Sequence, residues 1–290
     1  MRTAHFTDPA ARERYRALYA AAVATLPPAI ARDVETTHGT VRVLTCEGAP
    51  SGEPLVLLPG AGAPGVSWAS SVPSLLGLGT VHLVDPLGGP GASRQDVPIR
   101  DLADQARWLR ALLDGLDLAS FHLVGTSMGG RIAFELARRA PAGLRTLSLL
   151  EPANTFDRIP LATVASSVGA IPGAPGWLRR RFLDRLGDGG AAGDDPVLRL
   201  VDAGMSGFAS AVPHPPRPSD ADLRAVTVPT LVLLGGRSTM LDAGRARERA
   251  ALLPRGTVEV WPDASHALPG EFPERVAERI ARLTAGPVPS

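Results

Sequence analysis

Lysine is absent: all 30 basic residues of this 290-residue chain are arginine. Neither a Schiff base to a substrate carbonyl nor a phosphate-loop lysine can therefore come from it. The single cysteine, Cys46, excludes an internal disulfide and stands in no nucleophile or metal-ligand motif, which fits a reducing cytoplasm. No run approaches the roughly 18 apolar residues that a membrane span needs. Met1 to Ala31 carries Arg12, Glu13, Arg14 and Arg16 and lacks the apolar core of a signal peptide, so a cytoplasmic location without a membrane partner is expected. Excess charge is missing as well. A net charge of +1 gives no reason to expect a nucleic-acid partner.

What is present is an ordinary globular composition, 44% apolar and 20% charged. Asp8 followed by Pro9 reads as a helix N-cap, and Tyr15, Leu18, Tyr19, Ala22 and Val23 recur at helical spacing, predicting a helix over about 8–26 closed by Pro27 and Pro28. Val34 to Cys46 alternates like an antiparallel strand or hairpin. Short apolar runs then follow at Leu55 to Leu58, Val81 to Val84, Phe121 to Val124, Leu147 to Leu150 and Leu231 to Leu234, with a less apolar one at Val258 to Trp261. Helix-like stretches such as Leu102, Ala106, Leu109, Leu112 and Leu113 separate them, which is the pattern of buried parallel strands with crossover helices. The expected class is α/β, helices covering both faces of a sheet.

The alternation breaks over 152–226, rich in Pro and Gly, which is read as a cap partly helical around Trp177 to Leu186. Residues 1–151 and 227–290 then form the core. Arg179, Arg180 and Arg181 read as a solvated helix face in preference to an anion site, and the stretch Pro213 to Pro218 belongs to the same irregular excursion.

Gly125, Thr126, Ser127, Met128 and Gly129 form GxSxG between a strand and a helix-like segment. A sharp turn there lifts a serine clear of the strand, and flanking side chains would clash with backbone. A serine hydroxyl needs an adjacent base. Of six histidines, His5 and His38 lie near the N-terminus, His82 and His122 inside strands, and His214 among prolines. His266 alone occupies a loop between a last strand and a C-terminal helix, at the sheet edge where the serine turn must emerge, and is the expected base. Backbone donors for an oxyanion would come from Met128 and from the loop Pro59, Gly60, Ala61, Gly62, with Ala61 preferred and Gly62 the alternative.

These residues, with LLPGAGAPGVSW (Leu57 to Trp68), VDPLGGPG (Val84 to Gly91), GTSMGG and PDASH ending at His266, resemble the α/β-hydrolase superfamily, in particular its capped bacterial carboxylesterase-like members, from about Phe6 to the C-terminus. The resemblance implies an eight-stranded, mostly parallel sheet, a cap between the sixth and seventh strands, the chain order Ser, acid, His, and no cofactor or metal. Asp85 and Asp263 match positions that are usually structural.

Two positions depart from the pattern. Pro59 replaces a usual histidine and removes a backbone donor. Where relatives carry the acid after the seventh strand, this chain reads Gly235, Gly236, Arg237, Ser238. Three solutions remain: Glu151 at the end of the neighbouring strand, which is favoured; Asp242, which could equally cap the next helix; or no acid at all. The leading expectation is hydrolysis or acyl transfer on a small apolar ester, lactone or thioester through an acyl-Ser127 intermediate, with the cap and the loop Pro86 to Pro98 shaping the pocket. The alternatives are a lyase or cyclase on the same fold, or a ligand-binding relative without turnover. No residue pattern identifies the substrate or the oligomeric state.

Overall fold

The computed structural model describes residues 3–167, 171–187, 195–211 and 216–286. His214 lies outside them. The central strands are β1 (Ala29–Thr36), β2 (Gly39–Cys46), β3 (Leu55–Leu58), β4 (Val81–Val84), β5 (Phe121–Thr126), β6 (Leu144–Leu150), β7 (Thr230–Gly235) and β8 (Gly256–Trp261). Their spatial order is β1-β2-β4-β3-β5-β6-β7-β8, and a two-residue ninth strand, Arg94–Gln95, pairs with the start of β2. The β1/β2 hairpin and the β2/β4 pair are antiparallel; every pairing from β4 to β8 is parallel.

The apolar runs are β3 to β7, and β3 and β4 are buried at every position, as a sheet covered on both faces requires. Helices α1 (Pro9–Val23), α2 (Leu102–Gly115), α3 (Ser127–Ala137), α4 (Leu161–Ser166), α5 (Gly176–Leu186), α6 (Pro196–Gly207), α7 (Asp220–Arg224), α8 (Ala243–Ala250) and α9 (Pro273–Thr284) surround it. One core packs Trp108, Leu109 and Leu112 of α2 and Phe134 of α3 against one sheet face. The other packs Tyr15 and Ala22 of α1 and Val276 and Ile280 of α9 against the opposite face. Asp8 caps α1 as expected, its side chain accepting from Ala11 N, but the helix closes at Val23 because the backbone bonds of Thr25 and Leu26 tighten to three-residue spacing before the prolines are reached.

Between β6 and β7 the chain leaves the sheet. Its ends stay in the core, where Phe156, Leu223 and Val226 are buried, while α4 to α6 contribute residues to the cavity that Ser127 and His266 also line. Helix α6 is anchored on α1 and the residues before it: Thr7 N donates to Gly207 O at 2.9 Å, and a Cβ on Gly207 would come within 3.0 Å of Ala11 Cβ. Of the arginine cluster, Arg180 and Arg181 are exposed, whereas Arg179 turns to Asp202 of α6 because two helices from the same excursion meet there.

Candidate functional site

The register of β5 and β6 places Thr126 opposite Leu150, so the next residue on each strand, Ser127 and Glu151, leaves the sheet at the same level. Both turn at once, with φ of +50° at Ser127 and at Glu151, a backbone region that costs a non-glycine residue of order 1–3 kcal/mol. The tightness of the Ser127 turn explains its glycines. A Cβ on Gly129 would stand 2.3 Å from Pro59 O, and one on Gly125 2.6 Å from Gly129 O. Any side chain at either position would push α3 away from β3 and β5.

His266 arrives from the loop after β8. Its Nδ1 lies 3.0 Å from Glu151 Oε2 and its Nε2 3.0 Å from Ser127 Oγ. A carboxylate only accepts, so Nδ1 carries the proton and donates to Glu151, leaving Nε2 to accept from the serine hydroxyl. Glu151 is completely buried, and burying a carboxylate is costly unless its lone pairs are matched. Three donors match them: Gly235 N at 2.6 Å to Oε1, and Ser238 Oγ at 2.5 Å and His266 Nδ1 at 3.0 Å to Oε2. The Glu151 amide in turn bonds Leu233 O of β7 at 2.9 Å, fixing the carboxylate to the neighbouring strand.

Asp242 lies elsewhere. Its side chain accepts from Arg245 N at 2.9 Å as the N-cap of α8, its own amide bonds Asp157, and it is half exposed. The structure therefore brings Ser127, His266 and Glu151 together and leaves Asp242 outside the group. Gly60 approaches Ser127 so closely that a Cβ there would be 3.3 Å from Ser127 Cβ. Ala61, Gly62 and Met128 face the same cavity as Ser127 and His266. That cavity measures about 1220 Å³ and is walled mainly by apolar side chains, among them Trp68, Phe182, Leu183, Val201, Met205 and Met240. From the loop Pro86 to Pro98 it receives Pro90.

Two supports were not read from the sequence. The Ser265 amide and hydroxyl both donate to Glu271, at 2.8 and 2.7 Å, bracing the loop that carries His266. The signal available was a carboxylate six positions beyond a serine in a short loop. Second, Gly187, which ends α5 with φ of +102°, rests directly on Ser265, where a Cβ would come within 1.8 Å of Ser265 Oγ. Asp85 is the buried carboxylate after β4. It accepts from Gly65 N, Ala92 N and Tyr19 Oη at 2.7, 2.7 and 2.8 Å and so ties the loop after β3 to the loop after β4 and to α1. Burial pushes its carboxyl above the usual carboxylate range against the opposing effect of those bonds. Asp263 is exposed and pairs with Arg275.

Residues 55–279 match the family model described as the alpha/beta hydrolase family. The chain belongs to that family. Over 80% of its length it is 31% identical to a dihydrolipoyllysine-residue acetyltransferase component of an acetoin cleaving system from Pseudomonas putida, of which the match covers 64%. It is 25% identical to a carboxylesterase of Bacillus subtilis over 87% of each chain. The crystal structure of naproxen esterase from Bacillus subtilis superposes with a TM-score of 0.86 at 26% identity, covering 94% of this chain and 97% of that one. The protein is thus an α/β-hydrolase-fold enzyme of carboxylesterase-like kind. Among the described residues, no helix is long and apolar enough to cross a membrane, and no group of three or more His, Cys, Asp or Glu is placed to hold a metal ion.

Proposed function

We propose that the protein cleaves a small apolar carboxylic ester, or passes its acyl group to another acceptor, through an acyl-Ser127 intermediate, with His266 as base and Glu151 as the acid that orients it. The observation that carries this reading is the unbroken relay from Glu151 through His266 to Ser127, with 3.0 Å at each step, opening into an apolar cavity. Ser127 Oγ attacks the carbonyl carbon as its proton passes to His266 Nε2, and the carbonyl π electrons move onto oxygen. The Met128 and Ala61 amides receive that oxyanion. Its collapse breaks the bond to the alcohol or thiol, which leaves with the proton from Nε2. Water or an acceptor hydroxyl, deprotonated by the same Nε2, then releases the acyl group.

Residues 152–226 act in this mechanism as the cap. Helices α4 to α6 supply apolar wall to the cavity and exclude water from the oxyanion, which strengthens its hydrogen bonds. A lactone or thioester satisfies the same chemistry. Acyl transfer gains support from the similarity to the acetyltransferase component. With a carboxylate already on His266 Nδ1, the missing one after β7 no longer favours the lyase reading.

The test is turnover of neutral p-nitrophenyl esters of increasing acyl length by the wild type and by Ser127→Ala. Loss of a serine nucleophile costs on the order of a million-fold in turnover in a comparable triad. A folded Ser127→Ala variant that kept more than a few per cent of wild-type turnover would overturn covalent catalysis.

A further inference from the structure

Ser238 occupies the place after β7 where the family pattern puts the acid, and it is not idle there. Its hydroxyl stands 2.5 Å from Glu151 Oε2, the same oxygen that receives His266 Nδ1–H, and Met240 N points back at Ser238 Oγ from 3.2 Å. The Met240 amide takes a lone pair of the serine, so the hydroxyl hydrogen is directed at the carboxylate. We infer that Ser238 is a positioning residue for the acid: with the Gly235 amide it holds the buried Glu151 carboxylate aimed at His266 and takes a share of the charge on Oε2. This inference rests on the acyl-serine reading above.

The chemistry follows from the shared oxygen. Oε2 accepts two hydrogen bonds, so its charge is divided between a neutral hydroxyl and the imidazole. Without the hydroxyl, the full charge on Oε2 would face Nδ1–H. Glu151 would also lose one of the two donors that keep it aimed when His266 moves. The loop bearing Ser238 is itself held by Thr239, whose hydroxyl donates to Arg185 O of α5 at 2.8 Å, so the hydroxyl's aim depends on the same helix that covers the cavity.

Other charged groups lie near the relay. From the β8 loop, Glu271 accepts from Ser265 and faces Arg237 at 3.6 Å; behind β7, Asp157 and Asp242 share Arg245; Arg180 and Asp184 face the cavity from α5. None of them shares an oxygen with Glu151. Ser238 is thus the group whose removal changes the charge at Oε2 while leaving the relay's members intact.

The experiment compares wild type, Ser238→Ala and Ser238→Thr in kcat, KM and the pH profile of kcat/KM on a neutral p-nitrophenyl ester. Losing a hydrogen bond to a charged group should lower kcat about ten- to a hundredfold. KM should change little, and the ascending limb of the profile should move to higher pH. Ser238→Thr, which keeps the hydroxyl, should restore both. An Ala variant with unchanged kcat and limb, or Ala and Thr variants equally impaired, would overturn the inference. Fluorophosphonate labelling of wild-type Ser127 separates the two levels: if it labels and Ser238→Ala is unaffected, only the role of Ser238 falls; if it does not label, the acyl-serine reading falls and takes this role with it.

Discussion

Glu151 and His266, 115 positions apart in sequence, meet at 3.0 Å because the first follows β6 and the second follows β8, and both strands run parallel with their carboxyl ends at one edge. Glu151 is buried and triply bonded, whereas Asp242 caps a helix. Under the proposed mechanism Glu151→Gln, which keeps shape but places an amide opposite Nδ1–H, should lower kcat on the order of ten-thousandfold, the loss seen for such a change in a protease triad. Asp242→Asn should stay within a fewfold of wild type. The reverse ranking in steady-state kinetics would make Asp242 the acid.

Gly187 couples the excursion to the base. With φ of +102° and no room for a Cβ beside Ser265, Gly187→Ala must shift either the end of α5 or the loop that carries His266. A displacement of about 1 Å at the reacting groups can cost a hundredfold in rate. We expect kcat to fall on the order of tenfold or more with far-UV circular dichroism unchanged. Full activity in a folded Gly187→Ala variant would show that the two segments move independently.

Much of this was legible in the sequence, and the parts that were not have a physical reason. Continuous apolar runs such as Leu55 to Leu58 give away parallel strands because both faces are covered, and GxSxG gives away the turn because backbone at 2.3 to 2.6 Å tolerates only glycine. The sequence favours Glu151 over Asp242 but does not exclude the latter, since both follow strands at the right edge; the register of β5 against β6 separates them geometrically, and register is not written in composition. The contacts of Gly187 with Ser265 and of Thr239 with Arg185 join segments far apart in the chain. No local pattern encodes them.

Stability should fall in mild acid for a reason remote from the site. His82 of β4 is almost fully buried, its Nδ1 bonded to Thr45 at 2.9 Å, and burial with the nearby Arg32 pushes its pKa down to about 4. In the unfolded chain the imidazole binds its proton near pH 6.5. Between those values only the unfolded state is protonated, so the stability contributed by neutral His82 is complete above about pH 6.5 and is lost as pH falls toward 4, to a total on the order of 3 kcal/mol. Urea unfolding at pH 7 and pH 4.5 should show that loss, and His82→Gln should reduce it. An equal loss in the variant would assign the effect to other groups, such as His122, which burial also shifts down.

Activity should depend on pH through His266, because only a neutral imidazole accepts the Ser127 proton. The profile of kcat/KM should carry one ascending limb that is missing from any residual activity of His266→Ala. A profile without an ascending limb, with chemistry rate-limiting, would contradict the assignment.

The most direct test of a covalent serine mechanism is the mass of Ser127 itself. After exposure to a fluorophosphonate, peptide mapping of the folded protein should find one phosphonyl group, on Ser127, with the reaction abolished in His266→Ala and slowed in Glu151→Gln. An unmodified Ser127, or equal labelling in all three proteins, would contradict an activated nucleophile at this position.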